Sequence, residues 1–265
     1  MLERAAGVCD DLLVEVGIPL TGGNMSGVVR FGNFVHREAG AWTPTVHRLL
    51  RHLAARGITW VPRPVGFDEE GREILTFAPG SVPNDPAPEW LWAEHVIIDT
   101  ATRLAEFHDA TVGYLDPDAE WQLPAHQPQE VICHNDFVPY NMVFDDASRL
   151  SAVIDWDTAS PGPRIWDLAY LAYRLVPLSS PGNPDLPKVA IGQRRRRLAL
   201  LSHTYGPGQT PLPVAQTAML RLRELADFTA RRVAAGATDL ADHVTIYRSD
   251  VAWLESHLAE LTSEA

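Results

Sequence analysis

The sequence predicts an α+β fold of two lobes, a small β-rich N-terminal lobe and a larger, mainly helical C-terminal lobe. Three observations carry this reading: short β-type runs around a single helix before residue 79, a proline-rich break over residues 78–88, and long helical periodicities beyond residue 160. The chain has 265 residues, 46% of them hydrophobic and 21% charged, which is the make-up of an ordinary folded protein with a sizeable core.

Taken in order, Ala6, Val8, Leu12, Leu13 and Val16 recur at helical spacing over residues 3–16. Pro19-Leu20 then leads into a glycine loop, Thr21-Gly22-Gly23-Asn24-Met25-Ser26-Gly27. The β-rich runs Val28–Phe31 and Phe34–Arg37 follow, joined by Gly32-Asn33, a two-residue hairpin signal. Thr43-Pro44 opens a helix over residues 45–56, with Val46, Leu49, Leu50 and Leu53 on one face and Gly57 as its stop. Strands are expected at Pro64–Phe67 and Glu73–Phe77, either side of an acidic turn. Four prolines in the eleven residues 78–88 resist regular structure. The boundary is placed there, giving an N-terminal lobe with its hinge over 1–79 and a C-terminal lobe over 80–265. A long helix over 89–109, short strands over 131–157 and helices near 164–176, 190–204, 212–235 and 239–262 complete the expectation.

Charge and targeting signals narrow the class. The net charge of −12 argues against a nucleic-acid binder, which needs a cationic face to neutralise phosphates. It suits a cationic small substrate without selecting one. Cys9 and Cys133 are too few for a disulfide framework or a four-cysteine zinc site. The first residues lack the basic-then-apolar order of a signal peptide, and no apolar run is long enough to span a membrane. The expectation is a soluble, cytoplasmic protein. One lysine, Lys188, stands against 21 arginines.

The chemistry-bearing segment is Cys133-His134-Asn135-Asp136-Phe137-Val138-Pro139-Tyr140-Asn141, a His-x-Asp-x-x-x-x-Asn pattern. Ile154-Asp155-Trp156-Asp157 follows at the end of an apolar run, and a hairpin between the two would hold Asn141 and Asp155 side by side. Phosphoryl transfer from a nucleotide needs a metal ion bridging anionic oxygens, and hard Mg²⁺ takes carboxylate and carbonyl oxygens, which Asp155 and Asn141 supply. The attacking hydroxyl needs an acceptor for its proton, and Asp136 is placed to be it.

These segments resemble those of the aminoglycoside phosphotransferase (APH) family, within the protein-kinase-like superfamily. Arg164-Ile165-Trp166-Asp167-Leu168-Ala169 resembles that family's following helix start. The resemblance implies a protein-kinase-like fold that transfers the γ-phosphate of ATP or GTP, with Mg²⁺, to a hydroxyl of an aminoglycoside or related small metabolite. It implies Asp136 as catalytic base, with His134 beside it bracing the loop, and Asn141 and Asp155 as metal ligands. Asp167 is expected to cap its helix and steady the loop. In the small lobe, Gly22, Gly23 and Ser26 are expected to cover the nucleotide phosphates, and the hinge at Phe77 and Ala78 to offer backbone groups to the base.

The pattern departs from the superfamily at one place. Kinase-like small lobes carry a lysine on the third strand, held by a helix glutamate. No lysine precedes Lys188, and Arg37 stands at the expected strand end, with Arg30 as second choice. No Asp or Glu lies between Ala39 and Phe67 to partner it. Two expectations follow: a working site in which Arg37 binds phosphate, or a non-catalytic nucleotide-binding or immunity-type protein on the same fold. Elsewhere, Arg194–Arg197 reads as a solvated helix face, His108 as structural, and Trp90, Trp92 and Trp121 as packing residues.

Overall fold

The computed structural model describes residues 17–20, 27–83 and 86–263. The helix expected over 3–16 and the loop residues Gly22, Gly23 and Ser26 lie outside them. The N-terminal sheet has five strands, β1 (Ile18–Pro19), β2 (Val29–Phe31), β3 (Phe34–Arg37), β4 (Pro64–Phe67) and β5 (Glu73–Thr76), in the order β1-β2-β3-β5-β4. All neighbours are antiparallel. The predicted Gly32-Asn33 turn joins β2 to β3, with Gly32 at φ 52°. Helix α1 (Thr43–Ala55) sits between β3 and β4; it carries Pro44 in its first turn and ends before Gly57, at φ 87°.

Beyond the proline-rich segment the expected long helix is split. A single 3-10 turn at Glu89–Trp92 is followed by an extended Ala93 and then helix α2 (Glu94–Ala110). The turn seats Leu91 in the core and Trp90 against the Phe144 ring, and extending Ala93 reconciles those contacts with the direction of α2. Strand β6 (Val131–Cys133) pairs with β9 (Ser160–Gly162), and β7 (Met142–Phe144) with β8 (Leu150–Val153). Helices α3 (Arg164–Leu175), α4 (Ile191–Tyr205), α5 (Pro211–Ala234) and α6 (Ala241–Thr262) build the rest. Among the described residues no helix is long and apolar enough to cross a membrane.

The arginine run on α4 corrects the expectation of a solvated face. Arg194 is buried, donates to the Ser179 carbonyl and lies 4.4 Å from the Trp253 ring centroid. Arg197 donates to the carbonyls of Trp92 and Leu175, so only Arg196 is left exposed. Arginine stems carry apolar surface, and their donors finish otherwise unpaired carbonyls.

The core does not divide at the proline-rich segment. Val46, Leu49, Leu50 and Leu53 of α1 belong to the same buried cluster as Leu104 and Phe107 of α2 and Leu168 of α3. Polar contacts reinforce this. Arg48 Nε donates to Asp116 (2.7 Å), His52 Nε2 meets the Ala110 carbonyl (2.8 Å), and the Glu120 N–H donates to the Thr45 hydroxyl (2.9 Å). The linking segment itself is pinned by a reciprocal backbone pair between Ser81 and Phe144 (2.9 and 2.8 Å). Gly80 makes that approach: it sits at φ 134°, and a Cβ there would lie 2.4 Å from the Phe144 carbonyl oxygen. Gly80→Ala is therefore expected to lower the unfolding free energy by about 2 kcal/mol, read from urea denaturation with an unchanged m value.

Candidate active site

The loop after β6 holds the predicted constellation. Asn135 and Asp155 both adopt left-handed backbone, at φ 65° and 62°, a conformation that Asn and Asp tolerate better than other side-chain-bearing residues. Asn141 lies next to Asp155 because the Ile154 N–H donates to the Asn141 carbonyl (2.9 Å) at the mouth of the β7–β8 hairpin. The side chain of Asn141 donates to the Asp136 backbone oxygen (3.0 Å) and to Asp136 Oδ2 (2.8 Å). That leaves its carbonyl Oδ1 as the free acceptor.

The loop is fixed from beneath. Asp167 does not cap its own helix. Its carboxylate accepts the His134 N–H (2.6 Å) and the Asn135 N–H (2.8 Å), and His108 Nε2 lies 3.3 Å away. Burial pushes the Asp167 carboxyl up, but His108 and the Arg221 guanidinium outweigh it and hold it below the usual carboxylate range. His108, wholly buried, is in turn engaged by the Tyr205 hydroxyl (2.6 Å), and burial lowers its own pKa. Arg221 donates to the carbonyls of Asn135 (2.7 Å) and Trp166 (3.2 Å). The wholly buried His134 accepts the Asp136 N–H at Nδ1 (3.3 Å), which leaves Nε2 to donate to the Ile154 carbonyl (3.1 Å). Both ring nitrogens face backbone, a bracing position.

Asp136 also accepts the Tyr140 hydroxyl at Oδ1 (2.6 Å), a partner that the sequence did not single out. Burial raises the Asp136 pKa, while the bonds from Tyr140 and Asn141 act in the other direction. A carboxylate raised in this way is a stronger base.

Arg37 is where the structure answers most about the missing lysine. It stands opposite Glu73 in the β3–β5 register, so the two side chains share one face of the sheet. Its Nε lies 2.6 Å from Glu73 Oε1, its Nη1 3.0 Å from Asp155 Oδ1 and its Nη2 2.5 Å from Asp157 Oδ1. The partner absent from α1 thus comes from β5. Helix α1 contributes His47 instead, 2.9 Å from Glu73 Oε2. Burial alone would lower the Arg37 pKa, but Asp157, Glu73 and Asp155 together raise it. Burial, with Asp155 and Glu73 adding to it, pushes Asp157 up to about 6 against the pull of Arg37. Arg30, the second choice, lies with its guanidinium carbon 3.8 Å from the Phe77 ring centroid at the hinge. The Phe77 N–H is taken by the Asn33 carbonyl (2.8 Å).

The donor set suits a hard divalent cation. Three carboxylates face one guanidinium, Asp155 is the most exposed of them at 34%, and its Oδ2 has no partner among the described residues. With the free Asn141 Oδ1, on the residue whose carbonyl meets the Ile154 N–H, this makes two unpartnered oxygen donors on neighbouring segments. Every atom of the set is oxygen, which suits Mg²⁺ better than zinc.

Residues 99–201 match the APH phosphotransferase enzyme family. That span runs from α2 into α4 and contains Asp136, Asn141 and Asp155. Over that span the chain is similar to the family's phosphotransferases. Its fold is shared with solved small-molecule kinases of low sequence identity. A choline/ethanolamine kinase family protein from Mesorhizobium loti superposes with a TM-score of 0.62 at 16% identity, over 94% of this chain and 93% of that one. An aminoglycoside phosphotransferase solved with ADP bound superposes with a TM-score of 0.56 at 14% identity, over 95% and 96%. In sequence, the chain is 38% identical over 151 residues to the trifolitoxin immunity protein of Rhizobium leguminosarum bv. trifolii. That alignment takes in 54% of this chain and 56% of the relative, so the chain spans little more than half the length of that relative.

Two outcomes follow from this geometry. Arg37→Ala leaves three buried or half-buried carboxylates without their cation and is expected to cost about 3–5 kcal/mol of stability in urea denaturation, with Arg37→Lys losing less. Tyr140→Phe removes a bond that favours the ionised form of Asp136. Its pKa rises further, and the acid limb of the kcat/KM profile moves to higher pH.

Proposed function

We propose that the protein is a small-molecule kinase that transfers the γ-phosphate of ATP or GTP to a hydroxyl, with Asp136 as base. The observation that carries this reading is the Asp136 carboxylate, raised in pKa, held by Asn141 and Tyr140, one loop away from the oxygen pair of Asn141 and Asp155. In this reading the acceptor hydroxyl gives its proton to Asp136 as its oxygen bonds to the γ-phosphorus and the bond to the β-phosphate oxygen breaks. Asn141 Oδ1 and Asp155 Oδ2 hold Mg²⁺, which neutralises charge on the phosphates when bound. Asp167, Arg221 and His134 keep the loop backbone still during transfer, so orientation is set before the acceptor arrives.

Arg37 acts here by orienting Asp155 and offsetting its neighbours' charge, since all three guanidinium nitrogens already face carboxylates. Gly22, Gly23 and Ser26 cover the phosphates, and Ala78 meets the nucleobase. The finer expectation of an aminoglycoside acceptor draws support from the ADP-bound neighbour's name, while the choline/ethanolamine kinase neighbour widens the acceptor to other hydroxyl compounds.

A second reading, a non-catalytic nucleotide-binding immunity protein, is favoured by the likeness to the trifolitoxin immunity protein. One comparison separates the two. Asp136→Ala is expected to reduce magnesium-dependent nucleotide turnover by at least about 10³-fold while keeping nucleotide affinity, whereas Asp155→Ala loses magnesium-nucleotide binding. Binding without turnover by the wild type across a broad acceptor panel supports the immunity reading. Normal magnesium-nucleotide binding by Asp155→Ala refutes the site assignment.

A further inference from the structure

Tyr140 has two neighbours of opposite charge. Its hydroxyl meets Asp136, and its ring faces Arg174, whose guanidinium carbon is 5.5 Å from the ring centroid. Arg174 lies on the last turn of α3, half-buried, and is also 6.0 Å from the Tyr173 ring. Among the described residues it makes no hydrogen bond and no ion pair. The other inward-facing arginines are used differently: Arg37 binds three carboxylates, Arg197 two carbonyls and Arg221 two carbonyls. A guanidinium has five N–H donors, and none of those of Arg174 is buried without a partner, so they stay open to water and to a ligand. Its setting is phenolic: Tyr140, Tyr170 and Tyr173 lie within electrostatic reach, with Asp185 of the following loop as the acidic group that it feels. Tyr173 is already committed to Asp250 (2.8 Å) and Asp185 is exposed, so neither satisfies the fork.

We propose that Arg174 is an acceptor-binding residue, and that the acceptor carries an anionic group, a carboxylate or a phosphate, beside its reacting hydroxyl. This rests on the kinase reading of the Asp136 site. The acceptor lies across the Tyr140 ring, its anion on the Arg174 fork and its hydroxyl at Asp136. One tyrosine ring sets the spacing between the two ends. A planar guanidinium binds carboxylate or phosphate through paired N–H donors, a geometry that ammonium groups on an acceptor repel. The charge of Arg174 thus selects against a polycationic acceptor. The transfer itself is unchanged: the acceptor oxygen gains the phosphoryl group, the nucleotide leaves as the diphosphate, and the hydroxyl proton passes to Asp136.

The test uses N-acetylated serine tripeptides in three forms: free carboxylate, C-terminal amide, and a C-terminal aminoethyl amide that adds a cation. Glycerol 3-phosphate, with free hydroxyls beside its phosphate and no carboxylate, serves as the phosphate probe and kanamycin as the polycation. Turnover of magnesium-ATP and calorimetric binding in the presence of magnesium-ADP are both read. The wild type is expected to favour the carboxylate over the amide by at least tenfold in KM or Kd. Arg174→Gln is expected to bring that ratio near one with magnesium-ATP affinity retained, Arg174→Lys to keep part of it, and Arg174→Glu to shift preference to the cationic form. Preference for the cationic forms or kanamycin by the wild type, or a ratio that Arg174→Gln leaves unchanged, overturns the proposal. If nothing is turned over but the carboxylate or phosphate probe binds through Arg174, the kinase reading fails and the anion site stands. If neither anionic probe binds, the anion site fails whatever the turnover.

Discussion

The arrangement of the site depends on one buried ion cluster, the Arg37 guanidinium among Glu73, Asp155 and Asp157. It joins the N-terminal sheet to the loop after β8 and holds one oxygen of Asp155 while leaving the other unpartnered. A charge buried this deeply is costly unless its partners are close; here Nη1 and Nη2 donate to Asp155 and Asp157, and Nε lies beside Glu73 in ionic contact without hydrogen-bond alignment. An arginine at this position can do different things from a lysine. An ammonium is a point charge that can turn between a glutamate and a phosphate, whereas the fork commits each nitrogen to a direction.

Asp167 is the second organising group. It receives the N–H groups of His134 and Asn135, and His108 supports it from α2. The loop bearing Asp136 is therefore set by a carboxylate outside it, on a helix whose own first turn has no side-chain cap. Arg221 adds a tie from α5 to the same loop. Elements distant in sequence converge on three or four backbone groups, which is how a loop rather than a helix or strand can hold side chains in place.

Much of the fold was legible in the sequence because its signals were local. Gly32-Asn33, Pro44 and Gly57 announced their turns and helix ends, and the strands at 34–37 and 64–67 were read with their observed bounds. The split at Ala93 was not, since it follows from the tertiary seats of Leu91 and Trp90, which helical periodicity does not encode. The arginine run on α4 misled for the same reason: charge predicts solvent until neighbouring carbonyls are known. Asp136, Asn141 and Asp155 were legible through their spacing. The partner of Arg37 is not a glutamate of α1 but Glu73, on an adjacent strand whose pairing register only the fold reveals. Tyr140 and Arg174 left no readable mark, as a hydroxyl on a carboxylate and an unpaired fork are matters of position.

The ties between α1 and the segment after α2 change what can move. Arg48, His52 and Thr45 bind the helix of the small lobe to residues 110–120 of the large one, and their apolar sides share one core. In a two-lobed kinase shape, opening is pictured as one lobe swinging against the other about the linking strand. Here α1 is tied to both sides: to the large body through these bonds, and to the sheet through His47 and Glu73. The two parts share an element as well as a linking strand, so no free hinge separates them.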